Sequence, residues 1–427
     1  MNFFKKNKLS SNRGILLKNT VMLYILQFST FALGLLVAPY QTRILGTEIY
    51  GGVLDASVSI ILYFQLIIDF GFLLSATEEV SRERDNPQRL QQILTAVTVN
   101  KIGLAFASFF ALIGLCQVIP AWRTKQTILI LTFIATFFNS LMPDFLYRGL
   151  EKMSAITYRT VAIRIFFTAA LFVFLKRPED VWVVPTLNIV GNGVALVFAY
   201  LHVYRSLHIR FCKVSAGMMV QEFKSSAFFF LSRFATTAYT ALNTVILDII
   251  TQSGAATGYY ASANKLITSG RNGLSPIADS LYPYMAKHKD FKLVKKVLLL
   301  AEPLIFAFCA VVFIFAEPFC AWFFGEDFAQ AGTVLRAMLP IGVVTLPTYI
   351  LGFPTMTAMG ISKHANYSTI FGSVFHCGLL ALLYFTGHMN MVTLAISVSA
   401  TETVILLYRI LVIWKNRRLM TAAKEEL

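Results

Sequence analysis

The sequence predicts an all-α integral membrane protein of twelve transmembrane helices, in two six-helix halves forming a parallel pseudo-repeat, with both termini cytoplasmic. Three observations predict it. Runs of about 20 apolar residues recur along the whole chain, the length that a hydrocarbon core about 30 Å thick requires. Of 427 residues 56% are hydrophobic and only 14% charged, a balance that would force a soluble domain to expose large apolar patches. Most of the Lys and Arg gather at the termini and in alternate loops, the positive-inside pattern.

That pattern also accounts for the formal charge of +15, from 37 basic and 22 acidic residues. The charge serves insertion, and no nucleic-acid partner is expected. The five cysteines are scattered, with no CxxC pair, and read as small apolar residues rather than metal ligands.

The predicted helices of the first half are 18–39, 53–76, 94–118, 127–147, 155–175 and 181–204. A basic flank, Lys5 to Lys18, precedes the first, but its apolar run lacks a small-residue cleavage pattern and reads as a retained helix. The second half follows at 226–250, 259–285, 296–317, 331–357, 366–386 and 391–413. Inner loops such as Arg82–Gln92 and Lys287–Lys296 are basic. Outer connections such as Thr251–Gly258 and Gly387–Asn390 are short and carry no positive charge.

The longest hydrophilic break, Arg205 to Lys224, falls at the midpoint. The predicted division is therefore 1–204, a cytoplasmic connection 205–224, a second half 225–414 and a tail 415–427. A weak internal repeat supports two parallel halves, with the substrate path between them: Gly46 and Gly254 begin outer turns followed by Tyr50-Gly51 and Gly258-Tyr259.

At ~100° per residue, Ser262, Lys265, Thr268, Ser269, Asn272, Ser275 and Asp279 fall within about 140° of helix 259–285. Helix 226–250 repeats the arrangement with Arg233, Thr236, Thr237, Thr240, Asn243, Thr244 and Asp248. A charge at the bilayer centre costs at least ~2.5–3.5 kcal/mol, so each cation there needs an acid or water. Two readings stand side by side: a wet cavity, favoured for Arg233 and Lys265, or structural pairing with acids such as Asp55, Asp69, Asp144, Asp248, Asp279, Glu302 and Glu402. Arg271 points away from the main stripe, and Arg164 interrupts the fifth helix. Arg336 and Arg409 lie near helix ends, where they are expected to snorkel to the interface. Pro276, Pro283, Pro340, Pro347 and Pro354 mark bends, either hinges or static kinks.

The chain resembles the polysaccharide flippases of the O-antigen type, within the superfamily that also holds drug exporters and lipid II flippases. The resemblance is carried by Lys18-Asn19, by Arg43-Ile44-Leu45-Gly46 with Tyr50-Gly51, by Asp69-Phe70-Gly71, and by Thr77-Glu78-Glu79-Val80-Ser81-Arg82 with Asp85 and Leu90. It implies a transporter, not an enzyme, that moves undecaprenyl-pyrophosphate-linked oligosaccharide across a bacterial inner membrane by alternating access. A polysaccharide polymerase and a chain-length regulator are the protein partners it implies. No cofactor is expected; an ion gradient or the membrane potential drives the cycle.

On this reading Arg233, Lys265, Arg271 and Arg164 meet the diphosphate or other anionic groups, where cations are the fitting donors. Thr240, Asn243, Ser262 and Asn272 meet sugar hydroxyls. Asp55, Asp69, Asp248 and Asp279 are the candidates for ion coupling. Two alternatives remain, an ion-coupled drug exporter and a membrane-embedded glycosyltransferase or polymerase. Against the latter, the predicted outer loops are short and no GxxxxGK[ST], HExxH or GxSxG occurs.

Overall fold

In a computed structural model the described residues are 2–251 and 253–419. The side chains of 2–20, 23, 26, 153, 155, 228, 232, 235, 236, 238–240, 283, 286 and 287 lie outside that description. The described chain is all helical. α1 (Asn2–Thr47) turns at Gly46, where φ is 69°, a backbone setting that suits glycine. A π-helical segment, Glu48–Asp55, leads into α2 (Ala56–Asp69) and α3 (Phe72–Arg82). There follow α4 (Pro87–Val118), α5 (Pro120–Arg123), α6 (Gln126–Ser140), α7 (Asp144–Gly149), α8 (Met153–Phe174) and α9 (Val183–Ser206). Beyond the connection come α10 (Ala216–Thr251), α11 (Gly254–His288), α12 (Phe291–Ile314) and α13 (Ala316–Phe324). The chain continues through α14 (Ala331–Leu351), α15 (Phe353–Ala358), α16 (Lys363–Phe385) and α17 (Met391–Lys415).

Helix starts follow local chemistry. Asn86 accepts from the Arg89 amide with Pro87 in the first turn, Ser253 caps α11, Asp290 accepts from Lys292 and Leu293, and Asn390 shares a capping box with Thr393. Three predicted helices prove to be broken. The span 53–76 splits at Phe70 and Gly71, both with positive φ; 127–147 splits before Asp144; and 331–357 splits at Gly352, after which Pro354 sits in the first turn of α15. α13 is an addition, a short helix in what reads from sequence as an outer loop.

Among the described residues nine helical stretches are long and apolar enough to cross a membrane, and the first, Gln27–Arg82, runs through several of these elements. α11 is 35 residues long yet too polar to join them, and within α10 the described apolar stretch is Ala241–Thr251. The chain is therefore an all-α, multi-pass membrane protein. Leu304, Phe306 and Phe308 of α12 are exposed, as lipid-facing side chains should be.

Two compact units are distinguished. One comprises Met1–Val37 and Ser57–Phe234, the other Ala38–Ala56 and Ala235–Leu427. In the first, α3 packs on α7 and α9 on α6 and α8, around a core of Phe72, Val80, Leu94, Val97, Phe145, Leu146 and Val203. Tyr147 is buried there and its hydroxyl donates to the Ala199 carbonyl at 3.0 Å. In the second, α14 lies between α11 and α17, and Leu281, Met285, Val294, Leu346 and Ile350 form a buried cluster.

The second unit also corrects one expectation. Arg409 does not snorkel. It is 8% exposed, donates to the Thr348 carbonyl, and reaches Ser368 Oγ at 2.9 Å, tying α17 to the break at Gly352 and to α16. A guanidinium offers five donors, and the Thr348 carbonyl and the Ser368 hydroxyl supply acceptors that water supplies at an interface. Arg336 remains partly exposed, pairing with Glu317 at 2.5 Å and donating to the Phe313 carbonyl, so it fastens the turn between α12 and α13.

Candidate functional site

In the second unit the polar face of α11 is open along much of its length. Lys265, Thr268, Asn272 and Asp279 are exposed, while Ser269 and Ser275 are half-buried. Ser262, one turn nearer the start, is fully buried, and its hydroxyl has no hydrogen-bond partner among the described residues. The π-helical segment packs against α11 and brings Asp55, half-buried, within electrostatic reach of Lys265. A predicted coupling acid and a predicted substrate cation thus influence one another electrostatically.

Arg271 leaves the stripe, as its helical phase demands. Its Nη1 lies 2.7 Å from Glu402 Oε1 on α17, and the Glu402 side chain is only 2% exposed. The pair satisfies a cation at membrane depth through an acid on another helix. Asp248 of α10 is buried.

Asn243 has a different role from the sugar contact read in the sequence. It is fully buried, donates from Nδ2 to Tyr260 Oη and to the Leu394 carbonyl, both at 3.1 Å, and its Oδ1 lies 3.0 Å from His376 Nε2. His376 Nδ1 is in turn 2.9 Å from Thr401 Oγ1. This network locks α10, α11, α16 and α17 together and commits both ends of the amide internally. Thr240, the fourth predicted sugar contact, lies outside the described side chains.

In the first unit Arg233 and Arg164 are both exposed, on α10 and α8. Asp69 is engaged by Lys101, whose Nζ lies 3.1 Å from Asp69 Oδ1 and donates to the Ser140 carbonyl at 2.6 Å. Asp144 is paired with Arg159 at 2.7 Å. Lys101 and His376 escaped the sequence reading because neither belongs to a polar stripe running along most of a helix, the pattern that marked α10 and α11. Among the described residues no group of three or more His, Cys, Asp or Glu is placed to hold a metal ion.

The model of the family described as "Polysaccharide biosynthesis protein" matches residues 16–289. A protein of Escherichia coli (strain K12) named "Putative O-antigen transporter" is 23% identical over 419 residues, covering 96% of this chain and all of that protein. A protein of Shigella dysenteriae with the same name is 24% identical over 399 residues, covering 92% and 98%. Among solved structures, the inward closed conformation of the lipid II flippase MurJ superposes with a TM-score of 0.71 at 13% identity, covering 96% of this chain and 90% of that one. An inward-facing multidrug resistance MATE family transporter of the MOP superfamily gives 0.66 at 12% identity, over 95% and 99%.

Proposed function

This chain belongs to the polysaccharide biosynthesis protein family, and from that premise we propose that it is a lipid-linked oligosaccharide flippase, a transporter and not an enzyme. It moves undecaprenyl-pyrophosphate-linked repeat units from the inner to the outer leaflet of the bacterial cytoplasmic membrane, for O-antigen, capsule or exopolysaccharide synthesis. Likeness to O-antigen transporters along nearly the whole chain supports the substrate class, and the fold shared with a lipid II flippase supports the mode of action. We further propose twelve crossings in two halves, 1–204 and 225–414, with both termini inside, and alternating access driven by an ion gradient or the membrane potential.

The observation that carries the reading is the open polar face of α11. A helix too polar to span alone, presenting Lys265 and Asn272, suits a diphosphate and sugar hydroxyls moving past while the lipid tail stays in the bilayer. Arg233 and Arg164 are the exposed cations proposed for anionic groups in the first unit. Arg271, engaged by Glu402, supports that face from behind. Asp55 and Asp69 are the proposed coupling acids, Asp55 within electrostatic reach of Lys265 and Asp69 paired with Lys101, interactions that a transported ion would compete with. A polysaccharide polymerase and a chain-length regulator are the proposed partners.

The test is flipping of defined lipid-linked saccharides in proteoliposomes. Wild type should move them, and Lys265→Ala combined with Arg233→Ala should abolish movement while leaving the protein inserted and folded. Undiminished flipping by the double variant would remove both residues from the substrate path. A drug exporter is the second reading, favoured by the MATE fold likeness. Efflux of cationic drugs without saccharide flipping would select it.

A further inference from the structure

The motif Thr77–Arg82 that helped carry the family resemblance holds a pair of carboxyl groups whose role transport by α11 leaves unexplained. Glu79, near the end of α3, faces Glu222, in the first turns of α10 and well before its described apolar stretch Ala241–Thr251, and both lie in the same compact unit. Glu222 is 2% exposed and its Oε2 has no hydrogen-bond partner among the described residues. Its carboxyl is within hydrogen-bonding reach of the Glu79 carboxyl. Arg89 of α4 pairs with Glu79, and its Nη2 lies 3.8 Å from Glu222 Oε1. A cavity of about 350 Å³, lined by Ser75, Glu78, Glu79, Arg82, Gln221 and Glu222 among others, opens beside the pair.

Two carboxylates held within hydrogen-bonding reach repel unless something positive sits between them. One guanidinium against two acids leaves a net negative charge in a buried place. The other charged groups do not cancel it. Arg82 on α3 is paired with Glu78, Glu83 adds a further acid at the cavity, and Lys224 of α10 is exposed. A metal ion fits poorly, because Arg89 already occupies one edge and the described residues offer no group of three ligating side chains. A proton fits: it bonds to Glu222 Oε2, which then donates to the Glu79 carboxylate, and the site becomes neutral.

We propose that Glu79 and Glu222 form a proton-binding site joining α3 to α10, reached through the adjoining cavity. Loading it fastens the two helices, and unloading it sets carboxylate against carboxylate and favours their separation. Its use as the coupling site of transport rests on the flippase reading above; the binding of a proton does not.

Infrared difference spectroscopy of the full chain in proteoliposomes, titrated through neutral pH, tests it. Wild type should show a protonated carboxyl C=O band that Glu222→Gln removes and that titrates at lower pH in Glu79→Gln. The second variant keeps the test open should the first fail to fold. A wild-type spectrum without such a band, or a band displaced on adding sodium or magnesium ions, overturns the proposal. Flipping is measured on the same vesicles. The band without flipping defeats the transport reading alone, and flipping without the band defeats the proton site alone.

Discussion

A Cβ built on Gly51 would stand 2.0 Å from the backbone nitrogen of Gly258, and one built on Gly258 would stand 2.4 Å from the Thr47 carbonyl oxygen. The π-helical segment and the start of α11 therefore meet backbone to backbone, a closeness that only hydrogen side chains permit. These are the two positions at which the sequence shows its internal echo, Tyr50-Gly51 and Gly258-Tyr259. The echoed turns pack against each other.

Gly51→Ala or Gly258→Ala should therefore destabilise the chain by ~1–3 kcal/mol or more, since the obstruction is backbone and cannot rotate aside. Gly270→Ala is the control on the same helix, because nothing lies within 4 Å of its added carbon. Thermal unfolding in detergent reads the difference, and equal melting of all three would refute the close packing.

Removing one member of the Arg271–Glu402 pair should cost ~3–5 kcal/mol, because Glu402 is buried and loses its counter-charge. Replacing both, as Arg271→Met with Glu402→Met, should recover most of that loss. A double variant as unstable as the sum of the singles would show that the two do not act as a pair.

Asn243→Leu should lower stability by ~1–3 kcal/mol, since it deprives Tyr260, His376 and the Leu394 carbonyl of their partner. Asn272→Leu, on the exposed face, should leave melting within ~0.5 kcal/mol of wild type and impair flipping instead. Melting and flipping assays run together separate the two roles.

Burial and the neighbouring Glu79 push the Glu222 carboxyl up from 4.5 to about 8, against the opposing pull of Arg89. Between those values the folded chain keeps a proton that the unfolded chain has released, so stability falls as pH rises through this window. Glu222→Gln removes the titration. It should melt above wild type at pH values beyond about 8 and show no such advantage below about 4.5. Melting curves across pH check this, and parallel curves for the two proteins would contradict it.

The order of helices was legible in the sequence because hydropathy runs report long apolar helices directly. The breaks were less so: Asp69-Phe70-Gly71 and the prolines Pro347 and Pro354 mark bends without saying whether the helix ends there, and α13 continues the apolarity of α12 past Phe315. For the site, helical phase identified the open face of α11 and set Arg271 apart from it. It misjudged Asn243, because phase gives the direction of a side chain about its own helix and not which neighbour stands there. The partners Glu402, Lys101 and His376 lie on other helices, and the relative rotation of two helices is written in no single one of them.

The Arg271–Glu402 pair also fixes an order of events during synthesis. α11 is too polar to enter the bilayer readily alone, and its arginine is neutralised by an acid on α17, the last of the described helices. Until α17 emerges from the ribosome, that arginine awaits its counter-charge. A nascent chain stopped short of residue 402 therefore lacks this acid against Arg271, and the ion pair joining α11 to α17 can form only once α17 has been made.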